Sequence, residues 1–99
     1  MRLSSHQKRF LRGIAHSLDP IVMVGQKGVT PTLLKELDGA LAHHELVKVK
    51  LSDADREDRA DTVEVLRDAS KSEVVQTIGR VACFYRRNPQ QPKIELPRK

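Results

Sequence analysis

The chain reads as an α/β protein, a two-layer sandwich in which a four-stranded mixed sheet carries three helices on one face. Two observations lead there. Apolar residues recur at three- and four-residue spacings in three stretches; in four others they alternate with polar residues or gather into short β-branched runs. The two kinds of stretch follow one another in the order α-β-α-β-α-β-β, which implies crossovers between mostly parallel strands and a closing antiparallel hairpin. At 99 residues the chain makes one domain with a modest core.

Ser4 or Ser5 caps a first helix that runs to about Ser17, with Phe10, Leu11, Ile14, Ala15 and Leu18 as its buried stripe. Lys8, Arg9, Arg12 and His16 fall largely off that stripe and form a basic ridge. Lys8 and Arg12 stand one turn apart, a spacing at which like charges cost a helix a little stability. Asp19-Pro20 ends the element. Residues 21–24, Ile-Val-Met-Val, are a first strand. A Gly-x-x-Gly turn follows (Gly25, Gln26, Lys27, Gly28). Thr30-Pro31 then starts a second helix, Thr as N-cap and Pro in the first position.

The second helix runs to about His44 and buries Leu33, Leu34, Leu37 and Leu41. In the next strand, residues 45–51, Val47, Val49 and Leu51 alternate with Lys48 and Lys50, the period of a sheet with one covered face. The two lysines then point to the open side. Ser52 begins a third helix, with Asp55 placed as in a capping box. Acids crowd its first turns, where they complement the helix dipole, and Val63, Leu66 and Ala69 face the core. Residues 73–78 form the third strand, Gly79-Arg80 a two-residue hairpin turn, and residues 81–87 the fourth strand. Of the neighbours Phe84 and Tyr85, one faces the helices and the other the open side. Residues 1–88 make the domain, and residues 89–99, with three prolines, make a flexible basic tail.

The net charge is +5, and it is unevenly spread. Residues 53–68 carry seven acids and three arginines, a balance of −4, so the remainder stands at +9. A molecule polarised in this way presents a cationic face to a polyanion and keeps another face away from it. No apolar run approaches a membrane span, and the N-terminus lacks the apolar core of a signal peptide. One cysteine forms no disulfide within the chain. A cytoplasmic protein with no membrane partner is expected.

The glycine turn is the main candidate for chemistry. Glycines leave no Cβ to block an approaching backbone, the helix behind the turn aims free N–H groups and a positive dipole end at its tip, and Lys27 adds a full charge. Such a device suits a phosphate, and in RNA-binding modules a loop of this kind clamps the nucleic-acid backbone.

Other constellations are missing. His43-His44 lack the i, i+4 spacing of a metal pair, the acids of residues 53–68 lack a calcium-loop pattern, and Cys83, among apolar neighbours, reads as a small buried side chain. No cofactor, metal or small-molecule substrate is expected. With three aromatic side chains, Phe10, Phe84 and Tyr85, the chain has no aromatic platform for stacking bases.

Three functional classes follow. The first is non-catalytic RNA binding by a free monomer, through Gly25, Gln26, Lys27 and Gly28, the ridge Lys8, Arg9 and Arg12, and the cations Arg80, Arg86 and Arg87. The second is an adaptor that docks its acidic helix on a basic ribosomal protein. The third, an enzyme using the glycine loop for a nucleotide, lacks any acid/base constellation.

Several stretches together carry a resemblance: Leu-Ser-Ser-His-Gln-Lys-Arg-Phe-Leu-Arg-Gly at 3–13, Val-Met-Val-Gly-Gln-Lys-Gly-Val-Thr at 22–30, His-His-Glu-Leu-Val-Lys-Val-Lys at 43–50, Val-Gln-Thr-Ile-Gly-Arg at 75–80 and Phe-Tyr-Arg-Arg at 84–87. This set resembles the CRM domain (chloroplast RNA splicing and ribosome maturation) in its stand-alone bacterial form, the YhbY type. The resemblance implies an RNA-binding fold like the C-terminal domain of translation initiation factor three, with an extra N-terminal helix. It also implies association with ribosomal RNA in precursors of the large ribosomal subunit. One departure is visible: where the family often has a glycine turn before the third strand, this chain has Ala69-Ser70-Lys71-Ser72-Glu73.

Overall fold

In the computed structural model, which describes residues 2–52 and 56–99, three helices alternate with the strands of one sheet. The helices are α1 (Ser5–Ala15), α2 (Pro31–His44) and α3 (Arg56–Ser70); the strands are β1 (Val22–Met23), β2 (Leu46–Lys50), β3 (Glu73–Ile78) and β4 (Val81–Tyr85). This is the expected order and the expected mixed sheet. The strands lie as β1-β2-β4-β3, with β1 parallel to β2 and β4 antiparallel to both its neighbours. Three strands therefore run one way, and β4 returns between β2 and β3. The capping-box position Asp55 lies outside the described residues.

The helices do not share one face, which corrects the two-layer expectation. Val22, Val47, Val49, Ala82 and Phe84 pack with Leu33, Leu37 and Leu41 of α2 and with Val63 and Leu66 of α3. The alternate residues Leu46, Val75, Cys83 and Tyr85 pack with Leu11 and Ala15 of α1 on the other side. The physical reason is the period of two along a strand: Cys83 and Tyr85 are themselves apolar enough to demand a second cover. Phe84 thus faces α2 and α3, and Tyr85 faces α1. In α1 the buried stripe is narrower than its spacing suggested, since Leu11 and Ala15 are buried but Phe10 is 41% exposed. Likewise Ala69 of α3 is exposed and Ser70 is buried. A bulge in β3 sets Val75 between the paired residues Val74 and Gln76 and turns it into the second core.

The second face is closed by the end of the chain. Residues 89–99 do not project away: Ile94 and Leu96 pack against the second core. Their anchor is Glu45, at the junction of α2 and β2. It is fully buried and has φ +65°, in the left-handed region. Its Oε2 accepts the Asn88 N–H at 2.6 Å, and its Oε1 accepts those of Lys93 and Ile94 at 2.6 and 2.8 Å. Burial pushes this carboxyl's pKa up, but the three N–H donors and the nearby Arg87 charge outweigh it and hold it below the ordinary 4.5. A second tie starts from α1. Ser4 caps the helix, its Oγ accepting the Gln7 N–H at 3.1 Å while the Gln7 side chain accepts the Ser4 N–H at 3.0 Å. The amide of the same Gln7 donates to the Pro97 carbonyl at 2.8 Å.

The departure at Ala69–Glu73 is accommodated without glycine. Lys71 takes the left-handed position itself, with φ +54°, and the Ser72 N–H donates to the Arg67 carbonyl at 3.2 Å, the six-to-one bond of a Schellman ending. A residue with a Cβ is strained there, and Lys71→Gly should stabilise the fold by about 0.5–1 kcal/mol, seen as a raised thermal midpoint. Glu45 sets a pH limit. Because its folded pKa is depressed, its contribution is fully present above pH 4.5 and is lost as the pH falls through the lower folded value. Glu45→Gln should cost about 1–3 kcal/mol, since the new amide sets donor against donor at one of these N–H groups. Fluorescence of Tyr85, the sole tyrosine in a chain without tryptophan, reports both effects.

Candidate nucleic-acid interface

The loop at residues 25–28 projects from the end of β1. Its turn is closed by the Gly28 N–H donating to the Gly25 carbonyl at 3.0 Å. Gly28 has φ +71°, whereas Gly25 lies outside the left-handed region. A Cβ at either position would meet nothing within 4 Å. Among the described residues, the backbone N–H groups of Gln26 and Lys27 make no internal hydrogen bond. These two donors and the exposed Lys27 side chain form the tip.

The helix behind the loop contributes less than the sequence suggested. Thr30 caps α2, its Oγ1 accepting the Leu33 N–H at 3.1 Å, and Pro31 has no N–H to offer. The dipole end remains, with no acid in the first turn. A shallow concavity of about 440 Å³ lies against the loop, lined by Met23, Gly25–Gly28, Thr30, Thr32, Leu33 and Glu36. Glu36 is its one unfavourable charge toward an anion.

The sheet sorts the predicted cations. β2 ends, β4 begins and the hairpin turn sits at the same sheet end as the loop: Met23 pairs with Lys50, Lys50 with Val81 and Val81 with Ile78. The Leu51 N–H donates to the Arg80 carbonyl at 2.6 Å, which fixes Arg80 there. Arg12 lies toward this end too, and with His16 and Lys48 it lines a groove beneath the end of α1. Lys8 is half-buried at the β3 edge, in a groove shared with Glu64, Arg67 and Glu73, and Arg9 is exposed.

Arg86 and Arg87 are at the other end of β4, about 17 Å from Val81 at the rise of a strand. Arg86 is tied into the fold. Its guanidinium donates to the Asp38 carboxylate at 2.7 Å, to the Asp38 carbonyl at 3.0 Å and to the Ser70 carbonyl at 2.9 Å, joining α2 to α3. The structure therefore brings the loop, Arg80 and Arg12 toward one end and gives Arg86 a structural task.

Two features escaped the sequence reading. The acidic first turn of α3, with Glu57 and Asp58, follows β2 and so lies at the loop end of the sheet rather than remote from it. Met23 and Ile78 are largely exposed on the second face; the apolar run at 21–24 carries a signal for burial on both sides, which is why it hid Met23. Cys83 is buried, and burial raises its thiol pKa to about 11, against a small opposing effect of Lys48. No cluster of three or more metal-ligating side chains occurs among the described residues, and no described helix is long and apolar enough to cross a membrane.

Fold and loop together define a small α/β module with an open glycine turn at one sheet end. Residues 3–86 match the CRS1 / YhbY (CRM) domain, and the chain belongs to that family, a non-catalytic one. It is 46% identical over 97 residues to an RNA-binding protein of Haemophilus influenzae, spanning 98% of this chain and 97% of the relative. It is 42% identical over 95 residues to the probable RNA-binding protein YqeI of Bacillus subtilis, spanning 96% and 99%. The solution structure of a Staphylococcus aureus protein, 38% identical, superposes with a TM-score of 0.84 over 97% of this chain and all of that one.

The two loop glycines should respond differently to a Cβ. Gly28→Ala places a side chain in the left-handed region and should cost about 1 kcal/mol. Gly25→Ala meets neither strain nor a neighbour and should leave the melting curve within about 0.5 kcal/mol of the parent.

Proposed function

We propose that this chain binds RNA without acting on it chemically, and that its target is ribosomal RNA in precursors of the large ribosomal subunit, met in the cytoplasm by a free monomer. The observation that carries the reading is the loop tip: two backbone N–H groups without internal partners, beside Lys27, on a glycine turn open to the approach of a phosphate. Family membership and the names of the relatives support RNA as the ligand. The ribosomal target rests on what the resemblance to the stand-alone bacterial form implies. Phosphates are the principal contacts, and they position the protein with little readout of sequence. The surface joins Gly25, Gln26, Lys27 and Gly28 to Arg80 and to the α1 cations Arg12, Arg9 and Lys8. Arg87 is a peripheral contact, and Arg86 acts through the fold.

The rival adaptor role draws on the acids of α3, and one titration separates the two. For ribosomal RNA, log affinity should fall linearly with log salt with a slope of magnitude roughly three to five, at about 0.7 per phosphate on single strands. Gly25→Asp sets a negative charge at the cradle without backbone strain, and should weaken binding far more than Lys27→Ala, which removes one contact. Glu57→Gln with Asp58→Asn should leave RNA affinity equal or raise it by about two- to threefold at low salt, by relieving repulsion. Affinity indifferent to salt and to Gly25→Asp, or binding abolished by the Glu57 and Asp58 changes in a folded protein, would favour the adaptor.

A further inference from the structure

The second sheet face is only half covered. Toward Tyr85 it is closed by α1 and the chain end, but at the loop end it lies open. There Met23, Lys50, Val81 and Ile78 form a row across all four strands, each a register partner of the next. Register partners project to the same face, and three strand spacings make the row roughly 14 Å long. Its apolar ends are unusually bare, with Met23 66% and Ile78 64% exposed; Ile21, two residues before Met23, is 50% exposed. Behind the row, a groove of about 550 Å³ is lined by Arg12, His16, Lys48, Gln76, Ile78 and Val81 among others, with Asp19 as its acidic member. The Lys48 ammonium donates to the Leu18 carbonyl at 2.9 Å, which holds the α1–β1 connection at the groove's side.

We infer that this open half-face seats the bases of an unpaired RNA strand whose phosphates lie on the 25–28 loop. The inference rests on the RNA-binding reading and deepens it by naming single-stranded RNA as the ligand and the sheet as a second contact. Two observations choose this occupant. Apolar surface and cations are interleaved: Met23, Val81 and Ile78 alternate with or adjoin Lys50, Lys48 and Arg12. That pattern fits a strand with flat apolar bases on a polyanionic backbone. The surfaces are also continuous, because Met23 belongs both to the row and to the concavity beside the glycine loop. A duplex keeps its base faces stacked inside and offers this row nothing apolar to cover. Methionine and isoleucine contact base faces in other nucleic-acid complexes, so a chain poor in aromatics still has a surface for them.

The test uses the full-length chain, a single-stranded oligouridylate of about 12 nucleotides and an RNA duplex of similar length, at one salt concentration. The double variant Met23→Ser/Ile78→Ser, on exposed positions, should bind the oligouridylate about tenfold more weakly, with an unchanged salt slope and unchanged duplex affinity. The methyl resonance of Met23, one of two methionines, should shift upfield when the oligouridylate is added to the parent, as a methyl over a base ring does. A folded double variant that binds the oligouridylate like the parent, or loses affinity for strand and duplex alike, overturns the inference. So does a Met23 methyl that does not move at saturation. A parent that binds duplex but not oligouridylate overturns it while RNA binding stands; a parent that binds none of the RNAs, ribosomal RNA included, removes both.

Discussion

The covering of β4 on both sides governs the rest of this structure. Ala82 and Phe84 point to one core, Cys83 and Tyr85 to the other, and all four are buried. A strand with apolar residues on both faces cannot stop at two layers, because a bare Tyr85 face would forfeit the transfer free energy of a large side chain. The first face is closed by α2 and α3, which the chain lays down as crossovers. The second is covered, among the described residues, by the eleven-residue helix α1 and by Ile94 and Leu96. That is enough for the half around Leu46, Cys83 and Tyr85 and not for the half around Lys50 and Val81. The open half is therefore what remains after a short helix is spent on the tyrosine end.

The closed half is held by polar ties as much as by burial. Glu45 is the focus: it ends α2, precedes β2, accepts three N–H groups from the returning chain, and donates and accepts through its own backbone to Leu41 and Arg86. A buried carboxylate without such partners would be costly; with them it accepts the N–H groups of Asn88, Lys93 and Ile94, while the Asn88 side chain accepts those of Gln90 and Gln91. The Tyr85 hydroxyl nearby is buried without a hydrogen-bond partner among the described residues, and burial together with the Glu45 charge raises its pKa, against a smaller opposing effect of Arg87. Polar ties thus gather at the end away from the loop, and the loop end is left with exposed side chains on a rigid support, the usual arrangement for a binding surface.

Element order, the Thr30-Pro31 helix start, the β3–β4 hairpin and the glycine loop were legible in the sequence, since each rests on local chemistry or on periodicity. What periodicity does not carry is the choice between faces. The spacing of Leu11 and Ala15 says that α1 has a buried side, not which side of the sheet it meets, and a single apolar run at 21–24 does not distinguish Val22, buried, from Met23, bare. Arg86 and Arg87 are neighbours in sequence, yet one is bound to Asp38 and Ser70 across the helices and the other is exposed. Only the strand's alternation and the positions of two distant helices decide that. Glu45 and the docking of residues 89–99 had no local signal, because the three donors that secure the carboxylate come from more than forty residues away. In the candidate site, the loop residues could be read directly, whereas the exposed row became visible only once β4 was found between β2 and β3.

The charge pattern acquires its meaning from the same topology. Because β1 and β2 run parallel and each is followed by a helix, α2 and α3 both begin at the loop end of the sheet, and both dipoles point their positive ends there. The two ends are treated differently. α3 has Glu57 and Asp58 in its first turn, which neutralise its dipole locally. α2 has no acid in its first turn and is capped by the neutral hydroxyl of Thr30. Of the two helix starts, the one behind the glycine loop has no acid in its first turn, with Glu36 just beyond it, whereas α3 opens with Glu57 and Asp58 between two arginines in sequence. On the proposed reading, a polyanion at this end meets the β1 side, at Lys27 and the loop. From there the cationic path leads across Lys50 to Arg12, over the second face and away from α3. The acids of residues 53–68 read in the sequence as a separate solvated helix face; among the described residues, Glu57 and Asp58 open α3 at the loop end, beside the proposed surface.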